Sequence, residues 1–424
     1  MSNCTSNEIL SLRDRAQVVN RWLQYRMEHV LPQLMEREGF DMWIVAGREY
    51  NEGPVLMTLL PEEMLSARRR TILVFYQKDD GTMEHMLVGR HGILDKYGLG
   101  KFYTEEWERD CEQQWECVAR LIHERKPERI GINTSKTFAF GDGLTHSEFE
   151  QLTDALNPEY PDRLEGAERL AIGWLEKRTE PELDAYSRIV GIAHDIIAQA
   201  FSTRVIHPGV TTTEDVVWWM RQKAREMELI SWFQPSISIQ APDTIDEDSK
   251  DRQLIMPGDL LHCDFGLKYL GLCTDTQQHA YVLKPGEKEA PDGLKDALAT
   301  ANRLQDIHAE EMLAGRTGNE ILESALNRAG DEGIDAMIYT HPIGYHGHGA
   351  GPTIGLTDKQ GGVPGRGDYQ LFDNTCYAME LNIKQNIPEW DNNKVRMALE
   401  QDIAFTGEQV IYLAGRQTEL HLIG

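Results

Sequence analysis

Hydrophobic positions along this chain recur with two periods, and the change from one to the other marks its elements. From 13 to 37 the apolar residues recur at helical spacing. Phe40-Asp41-Met42-Trp43-Ile44-Val45 then reads as a short buried strand. Residues 71–76 and 84–88 read as the two arms of a hairpin around Asp79-Asp80-Gly81. A helix over 111–125 leads to the strand Arg129-Ile130-Gly131-Ile132. Helices alternating with strands predict an α/β layer arrangement here. This part carries no phosphate-binding glycine-rich loop and no catalytic constellation.

A second unit opens near 179. Thr179-Glu180-Pro181-Glu182 is a capping box with proline in the first turn, and Leu183, Tyr186, Val190, Ala193, Ile197 and Phe201 continue at helical spacing. Further helices are predicted over 213–228, 294–313 and 319–332. Between the first two of these, the run LLHCDFGLKYLGLCTDTQQHAYVL (260–283) reads as two strands joined by a turn between Gly266 and Gly271. A chain of 424 residues is long for one core, so two domains are expected, 1–170 and 171–424, with the boundary inside 155–178.

The 260–283 hairpin carries Asp264 and Asp275. A turn centred between Tyr269 and Leu270 makes them direct cross-strand neighbours, with Cβ atoms roughly 4.5–5.5 Å apart. Carboxylates that close repel unless a cation lies between them or they share a proton, so the pair points to a metal site. Three other segments can supply ligands. THPIGYHGHGAGPTIG (340–355) embeds His341, His346 and His348 among glycines, which let the backbone approach a cofactor closely. The apolar strands Cys376-Tyr377-Ala378-Met379-Glu380-Leu381 and Glu400-Gln401-Asp402-Ile403-Ala404-Phe405 each carry an inward charge that needs a partner. Taken singly, each segment also reads as an ordinary turn, an exposed strand residue or an ion-pair member. The order Asp, Asp, His, Glu, Glu is what distinguishes them.

Composition narrows the partners. With 43 basic against 69 acidic residues the net charge is −26, which repels nucleic-acid phosphates and anionic membranes. No apolar stretch approaches the ~20 residues needed to span a bilayer. The first ten residues, MSNCTSNEIL, lack the basic and apolar regions of a leader. Six cysteines form no CxxC pair and no disulfide framework, and Cys263 and Cys273 are expected to be buried and reduced. Cytoplasmic residence is the simplest expectation.

The ordered set resembles the pita-bread metallopeptidase family, which includes prolidase, aminopeptidase P and methionine aminopeptidase. The resemblance runs from 179 to the end of the chain. It rests on the helix-opening segment, Pro257-Gly258-Asp259, the DFG-type strand at Asp264, the TD step at Asp275, the loop Gly347-His348-Gly349-Ala350-Gly351 and the acid-led strands. It implies an α+β pita-bread domain of the creatinase/aminopeptidase type, behind an α/β accessory domain like that of the prolidase and creatinase branch. It further implies that Asp264, Asp275, His348, Glu380 and Glu400 hold two divalent metal ions. His346 replaces His348 if the doubled HGH shifts the register. Four carboxylates and one imidazole suit Mn²⁺ best and also accept Co²⁺ or Zn²⁺.

By the same resemblance, Glu380 shuttles the proton between water and leaving amine. Arg366, fourteen residues before Glu380, grips the substrate's terminal carboxylate. The implied substrate is a small peptide or amide, cleaved as by an Xaa-Pro dipeptidase or aminopeptidase P, and the implied assembly is a homodimer. Some family features are missing. The histidine that usually follows the ligand histidine by seven residues is Gly355 here, and 237–249 lacks the histidine that usually precedes the hairpin. His341 or His346 is left to take their catalytic places. The family's Ile-Thr-Arg after the second aspartate is Thr276-Gln277-Gln278, followed by His279, a strand residue expected to face away or to stand in partly. Two other readings stay open: a creatinase-like or ectoine-hydrolase-like C–N hydrolase of a small non-peptide metabolite, and a catalytically silent binding module.

Overall fold

A computed structural model describes residues 9–90, 92–158, 160–242 and 252–424. Most of the first ten residues, Cys4 among them, and the 243–249 part of the segment before the hairpin lie outside the described residues. Backbone contacts divide the chain between Lys177 and Arg178.

Residues 10–177 build a six-stranded sheet in the order Thr104–Glu105, Met83–Val88, Arg70–Gln77, Met42–Arg48, Ile130–Ile132, Leu164–Gly166. Its hairpin pairs Gln77 with Met83, across a loop in which Asp80 accepts from the Thr82 N–H at 3.0 Å. The single helix predicted over 13–37 is interrupted. Leu12–Tyr25 and Leu31–Glu38 are joined by a π-turn, Arg26–Val30, which turns Arg26, Met27 and Val30 inward. The buried Arg26 guanidinium donates to Lys177 O at 2.6 Å and lies over the Trp174 ring, satisfying carbonyls at the end of the helix Glu168–Glu176. The helix predicted from 111 begins at Gln114, behind a Gln113/Glu116 capping box.

Residues 178–424 build helices around a nine-stranded sheet. The Thr179 capping box forms, with the Thr179 N–H donating to Glu182 at 2.7 Å, and opens the helix Glu180–Ala200. The other predicted helices are Thr213–Glu226, Asp292–Glu311 and Gly318–Asp331. The strands of this sheet are β1 (Ser236–Gln240), β2 (Leu260–Phe265), β3 (Thr276–Val282), β4 (Ala336–Ile338), β5 (His341–Pro342), β6 (Thr375–Ile387), β7 (Asn393–Phe405), β8 (Val410–Tyr412) and β9 (His421–Ile423). They run β4-β6-β7-β3-β2-β1, with β5 on β6, β8 on β7 and β9 on β3. On β6 and β7 the side chains alternate. Tyr377, Met379, Leu381, Met397, Leu399 and Ile403 join Leu298, Leu304 and Ile307 of the helix Asp292–Glu311 in one core. Glu380, Asn382, Glu400 and Asp402 therefore occupy the opposite face.

The aspartate hairpin turns one residue later than expected. Leu270 and Gly271, with φ of 52° and 80°, form the two-residue turn; Tyr269 pairs with Leu272, and Asp264 faces Gln277 rather than Asp275. Moving a turn by one residue moves the facing partner by two, which keeps every side chain on its face. Asp275 thus becomes the diagonal neighbour of Asp264, still within reach. At this point the ladder opens, with Gly266 opposite Thr274 and Asp275. A Cβ on Gly266 would lie 2.3 Å from Trp232 Nε1 and 2.4 Å from Thr274 O.

That contact predicts an order of stabilities. Gly266→Ala is expected to cost roughly 1–3 kcal/mol through overpacking. Gly271→Ala, where added bulk would meet only Tyr345 at 3.9 Å, should cost only about 1–2 kcal/mol through its left-handed backbone. Urea unfolding midpoints, followed by circular dichroism, check this. A Gly271 variant less stable than the Gly266 variant would contradict the assigned packing.

Candidate metal centre

Register alone assembles the core of the site. Glu380 on β6 pairs with Glu400 on β7, Glu400 with Gln277 on β3, and Gln277 with Asp264 on β2. One rung across four strands therefore presents three carboxylates and one amide on the same face. Gln277, 2% exposed, holds the rung together. Its Nε2 donates to Glu380 Oε1 at 2.6 Å and to Glu400 Oε2 at 2.9 Å, and its Oε1 faces His262 Nε2 at 2.8 Å. Only the amide nitrogen can face two carboxylates, so the amide orientation is set, and His262 must carry its proton on Nε2.

The other donors come from irregular backbone beside the rung. Asp275 sits where the chain leaves β3, and its N–H donates to both oxygens of Asp402 at 3.2 and 3.1 Å instead of to a strand. His341, at the start of β5, points Nε2 at Glu400 Oε1 (3.4 Å) and Asp275 Oδ2 (3.6 Å). Its Nδ1 donates to Pro342 O at 3.0 Å, which leaves the Nε2 lone pair for a ligand in the neutral ring. Three sets of donors come together, each with its ligand atoms within 4.8 Å: Asp264, Asp275 and Glu400; His341, Glu380 and Glu400; and Asp275, His341 and His348.

His346 is in none of these sets among the described residues. Burial, with the fields of Lys268 and Arg178, lowers its pKa to about 4. Of the three loop histidines named from the sequence, the structure brings His341 and His348 to the carboxylates and leaves His346 outside these sets. His279 lies two positions beyond Gln277, but its ring nitrogens meet the carbonyls of Leu261 and Ala398. Arg366 sits in the exposed turn Arg366–Asp368, close enough for its charge to act on His348.

The electrostatics are those of a site built for cations. Burial, reinforced by Asp275 and Glu380, raises the Asp264 carboxyl to about 8. Burial and Asp275 raise Glu380 to about 7, against the pull of His341, and move Glu400 well upward. Burial would lower His341, but Asp275 and Glu380 raise it to about 9. Asp264 Oδ1, Asp275 Oδ1 and His341 Nε2 are buried without a hydrogen bond. Unsatisfied oxygen and nitrogen atoms among like charges are the complement of a divalent ion, and the residues fit such ions.

Several of these residues escaped the sequence reading: His262, Gln277 and Asp402, and farther along the same face Tyr339, whose hydroxyl accepts from Arg396 Nη2 at 2.7 Å and Asn382 Nδ2 at 3.1 Å. Part of their signal was present. On β2, His262 and Asp264 alternate with Leu261, Cys263 and Phe265, a period of two that marks one face, whereas the consecutive polar residues Thr276–His279 on β3 and Glu400–Asp402 on β7 hide it.

Comparisons with known proteins follow the same line. A sequence model of metallopeptidase family M24 matches residues 185–407. No protein of curated function matches the chain in sequence. Among solved structures, the X-Pro aminopeptidase from Thermotoga maritima superposes with a TM-score of 0.65 at 15% identity, covering 91% of this chain and 99% of that one. Dipeptidase PepE from Mycobacterium ulcerans gives 0.64 at 16% identity, covering 96% and 98%. The N-terminal domain of the FACT complex subunit SPT16 from chickpea gives 0.61 at 11% identity, covering 96% and 99%. At these identities the likeness is one of fold.

Two predictions follow from the electrostatics and the rung. Asp264 and Glu380 hold protons in the folded protein that an unfolded chain, with carboxyls near pH 4, would release, so metal-free protein loses stability as pH rises from about 4 through 7–8. The raised His341 acts in the same direction up to about 9, since its contribution is complete below about 6.5 and is lost above. Thermal melts of chelator-treated protein should fall from pH 5.5 to 8, and added Mn²⁺ should restore more at pH 8 than at 5.5. A flat profile would count against a buried acid cluster. Separately, Gln277→Leu removes both amide donors and should weaken Mn²⁺ binding by about tenfold or more by calorimetry, with secondary structure by circular dichroism unchanged. Unaltered affinity would remove Gln277 from the site.

Proposed function

The chain belongs to metallopeptidase family M24, and from that premise we propose that it hydrolyses the bond before proline in a dipeptide or short peptide. Two divalent cations would be held by Asp264, Asp275, His341, Glu380 and Glu400, with His348 beside them. The observation that carries this reading is the single rung of Glu380, Glu400 and Asp264, closed by Asp275 and His341, in which Asp264 Oδ1, Asp275 Oδ1 and His341 Nε2 are buried without a hydrogen bond. The chemistry supplied by such a bound pair is polarisation of the scissile carbonyl and acidification of a water near neutral pH.

The side chains supply the rest. Gln277 occupies Glu380 Oε1, so Oε2 is the oxygen that takes a proton from water and returns it to the leaving nitrogen. Asp402 pins the backbone at Asp275 and so aims that carboxylate. Arg366 is the proposed grip for a terminal carboxylate, its planar fork matching the two oxygens. Mn²⁺ as the resident metal, a homodimer and cytoplasmic residence complete the reading. It accords with there being no helix among the described residues long and apolar enough to cross a membrane.

A second reading is a metal-dependent C–N hydrolase of a small non-peptide amide. With His341 in the ligand's place, His348 takes the position seven residues later, and the departure that favours this reading is the stretch 237–249 before the hairpin, which carries no histidine.

A hydrolysis panel with Mn²⁺ separates the two, using Xaa-Pro dipeptides, longer Xaa-Pro peptides, and cyclic or guanidino amides. Turnover of Xaa-Pro dipeptides is the expected result, and turnover confined to the last group would favour the second reading. Asp275→Asn is expected to abolish metal loading and turnover while leaving the melting curve of the metal-free protein in place or raised. Full activity in that variant would refute the ligand assignment.

A further inference from the structure

Beyond the rung, β7 parts from its neighbour strand. β3 pairs with it only at Gln277 and Glu400, and two residues on, Ala398 O meets the His279 ring at 2.7 Å instead of a strand. At Arg396 the side-chain amide of Gln240, from β1, takes the place of the missing partner. Its Oε1 accepts from the Arg396 N–H at 2.9 Å and its Nε2 donates to Arg396 O at 2.8 Å. The Arg396 side chain shares the face of Glu400, four residues and roughly 13 Å along the strand. Its Nη2 donates to the Tyr339 hydroxyl at 2.7 Å, and the same oxygen accepts from Asn382 Nδ2 at 3.1 Å. Tyr339 and Asn382 are buried, whereas Arg396 is exposed. The guanidinium is therefore held at its backbone and at its tip while four of its five N–H groups face outward. With two donors on its oxygen, the Tyr339 hydroxyl has its own proton to give.

Directly across the β6–β7 ladder from Arg396 stands Lys384, also exposed and on the same face. Like charges placed opposite one another weaken a sheet. Among the described residues neither cation has a carboxylate within ion-pair distance, although 69 acidic residues outnumber 43 basic ones and the nearby Lys394 pairs with Asp335 at 2.9 Å. The position of the pair relative to the metal centre is set by the strand. Asp402, which holds the backbone of Asp275, lies past Glu400 on one side, and His348, with the charge of Arg366 acting on it, belongs to that side. Arg396 lies on the other side, where its charge acts on Glu380 and His262. We propose that Arg396 and Lys384, with the Tyr339 hydroxyl, hold a second carboxylate of the substrate, so that the preferred peptide carries glutamate or aspartate before proline. A planar guanidinium fork matches the two oxygens of such a side chain. One dipeptide then spans the centre, with its terminal carboxylate at Arg366 and its side-chain carboxylate at Arg396. The inference rests on the peptidase reading above and names its substrate class.

Steady-state hydrolysis of Glu-Pro, Gln-Pro, Ala-Pro and Lys-Pro with Mn²⁺ tests it, Gln-Pro being the neutral match in shape for Glu-Pro. On the unaltered protein, kcat/KM for Glu-Pro should exceed that for Gln-Pro by about tenfold or more, the worth of hydrogen bonds to a charged group. The difference should lie mainly in KM and shrink with added salt, and Lys-Pro should be the poorest substrate. Arg396→Gln should bring the Glu-Pro to Gln-Pro ratio to within about threefold, since only the exposed Lys384 then remains. Arg396→Lys should keep part of the preference, and Arg396→Glu should move it toward Lys-Pro. Melting curves of these surface variants show whether the fold is kept. Equal turnover of Glu-Pro and Gln-Pro by the unaltered protein, or an unchanged ratio in folded Arg396→Gln, would overturn the subsite and leave the peptidase reading standing. Unaltered protein that cleaves none of these peptides would bring down both.

Discussion

Burying carboxylates side by side is costly twice over, because each loses its hydration and each gains a like-charged neighbour. In this protein Glu380 and Glu400 are in direct register on adjacent strands, with Asp264 two strands farther along the same rung. Asp275 and Asp402 crowd the next turn of backbone. The neighbouring polar contacts each relieve part of that repulsion. Gln277 gives one N–H to each glutamate, the backbone of Asp275 gives its N–H to Asp402, and His341 brings a ring nitrogen to Glu400 and Asp275. In the bare cluster the raised His341 and the protons on Asp264 and Glu380 balance what is left. Divalent cations are the alternative means of balance, and family membership supports their use.

The parts of the site legible in the sequence were those with an unambiguous local context. Asp264, Asp275, Glu380 and Glu400 stand in apolar strands where a charge needs a reason, and the structure brings all four together. The histidines were harder. Three lie within eight residues in a glycine-rich loop, where neither helical nor strand period says which way a ring points. Comparison with a family motif selected His348, yet His341 makes the nearer approach to Glu400 because it begins a strand, β5, paired to β6 beside Glu380. The hairpin register depended on which residues took positive φ. Leu270 does so despite its side chain, a choice that residue preference would not predict. His262 could have been found by counting every second residue back from Asp264, whereas Gln277 lies in a run of four polar residues and the π-turn at Arg26–Val30 has no period to betray it.

Fold and chemistry separate clearly in this case. Structures with the same architecture include an aminopeptidase, a dipeptidase and a subunit of a complex that is not described as a peptidase. Architecture alone therefore leaves hydrolysis unargued, and the weight falls on side chains. The loop shows this: once the structure brings His341 to the carboxylates, the histidine seven residues on is His348, and Gly355, whose left-handed backbone against Ile338 O admits no side chain, leaves no gap. Tyr339, Arg396 and Asn382 form a polar network on the same face, with the Tyr339 hydroxyl accepting from both.

The identity of residue 277 bears on what the site is for. A lysine or arginine on that rung would answer the carboxylates completely, with a charge that never leaves. Its Coulomb attraction, strong in a dry interior, would then oppose the arrival of any second cation. Glutamine donates the same number of hydrogen bonds to Glu380 and Glu400 but carries no charge, so it orients the two acids without discharging them. His262, on the far side of the amide, is held by burial well below its usual pKa, near 4, and so remains neutral as well. The rung is thus aligned by dipoles and, when bare, holds protons that an arriving cation displaces. Such a cluster is under strain when bare and gains stability when metal arrives, which is the arrangement expected where cation binding and correct folding reinforce one another.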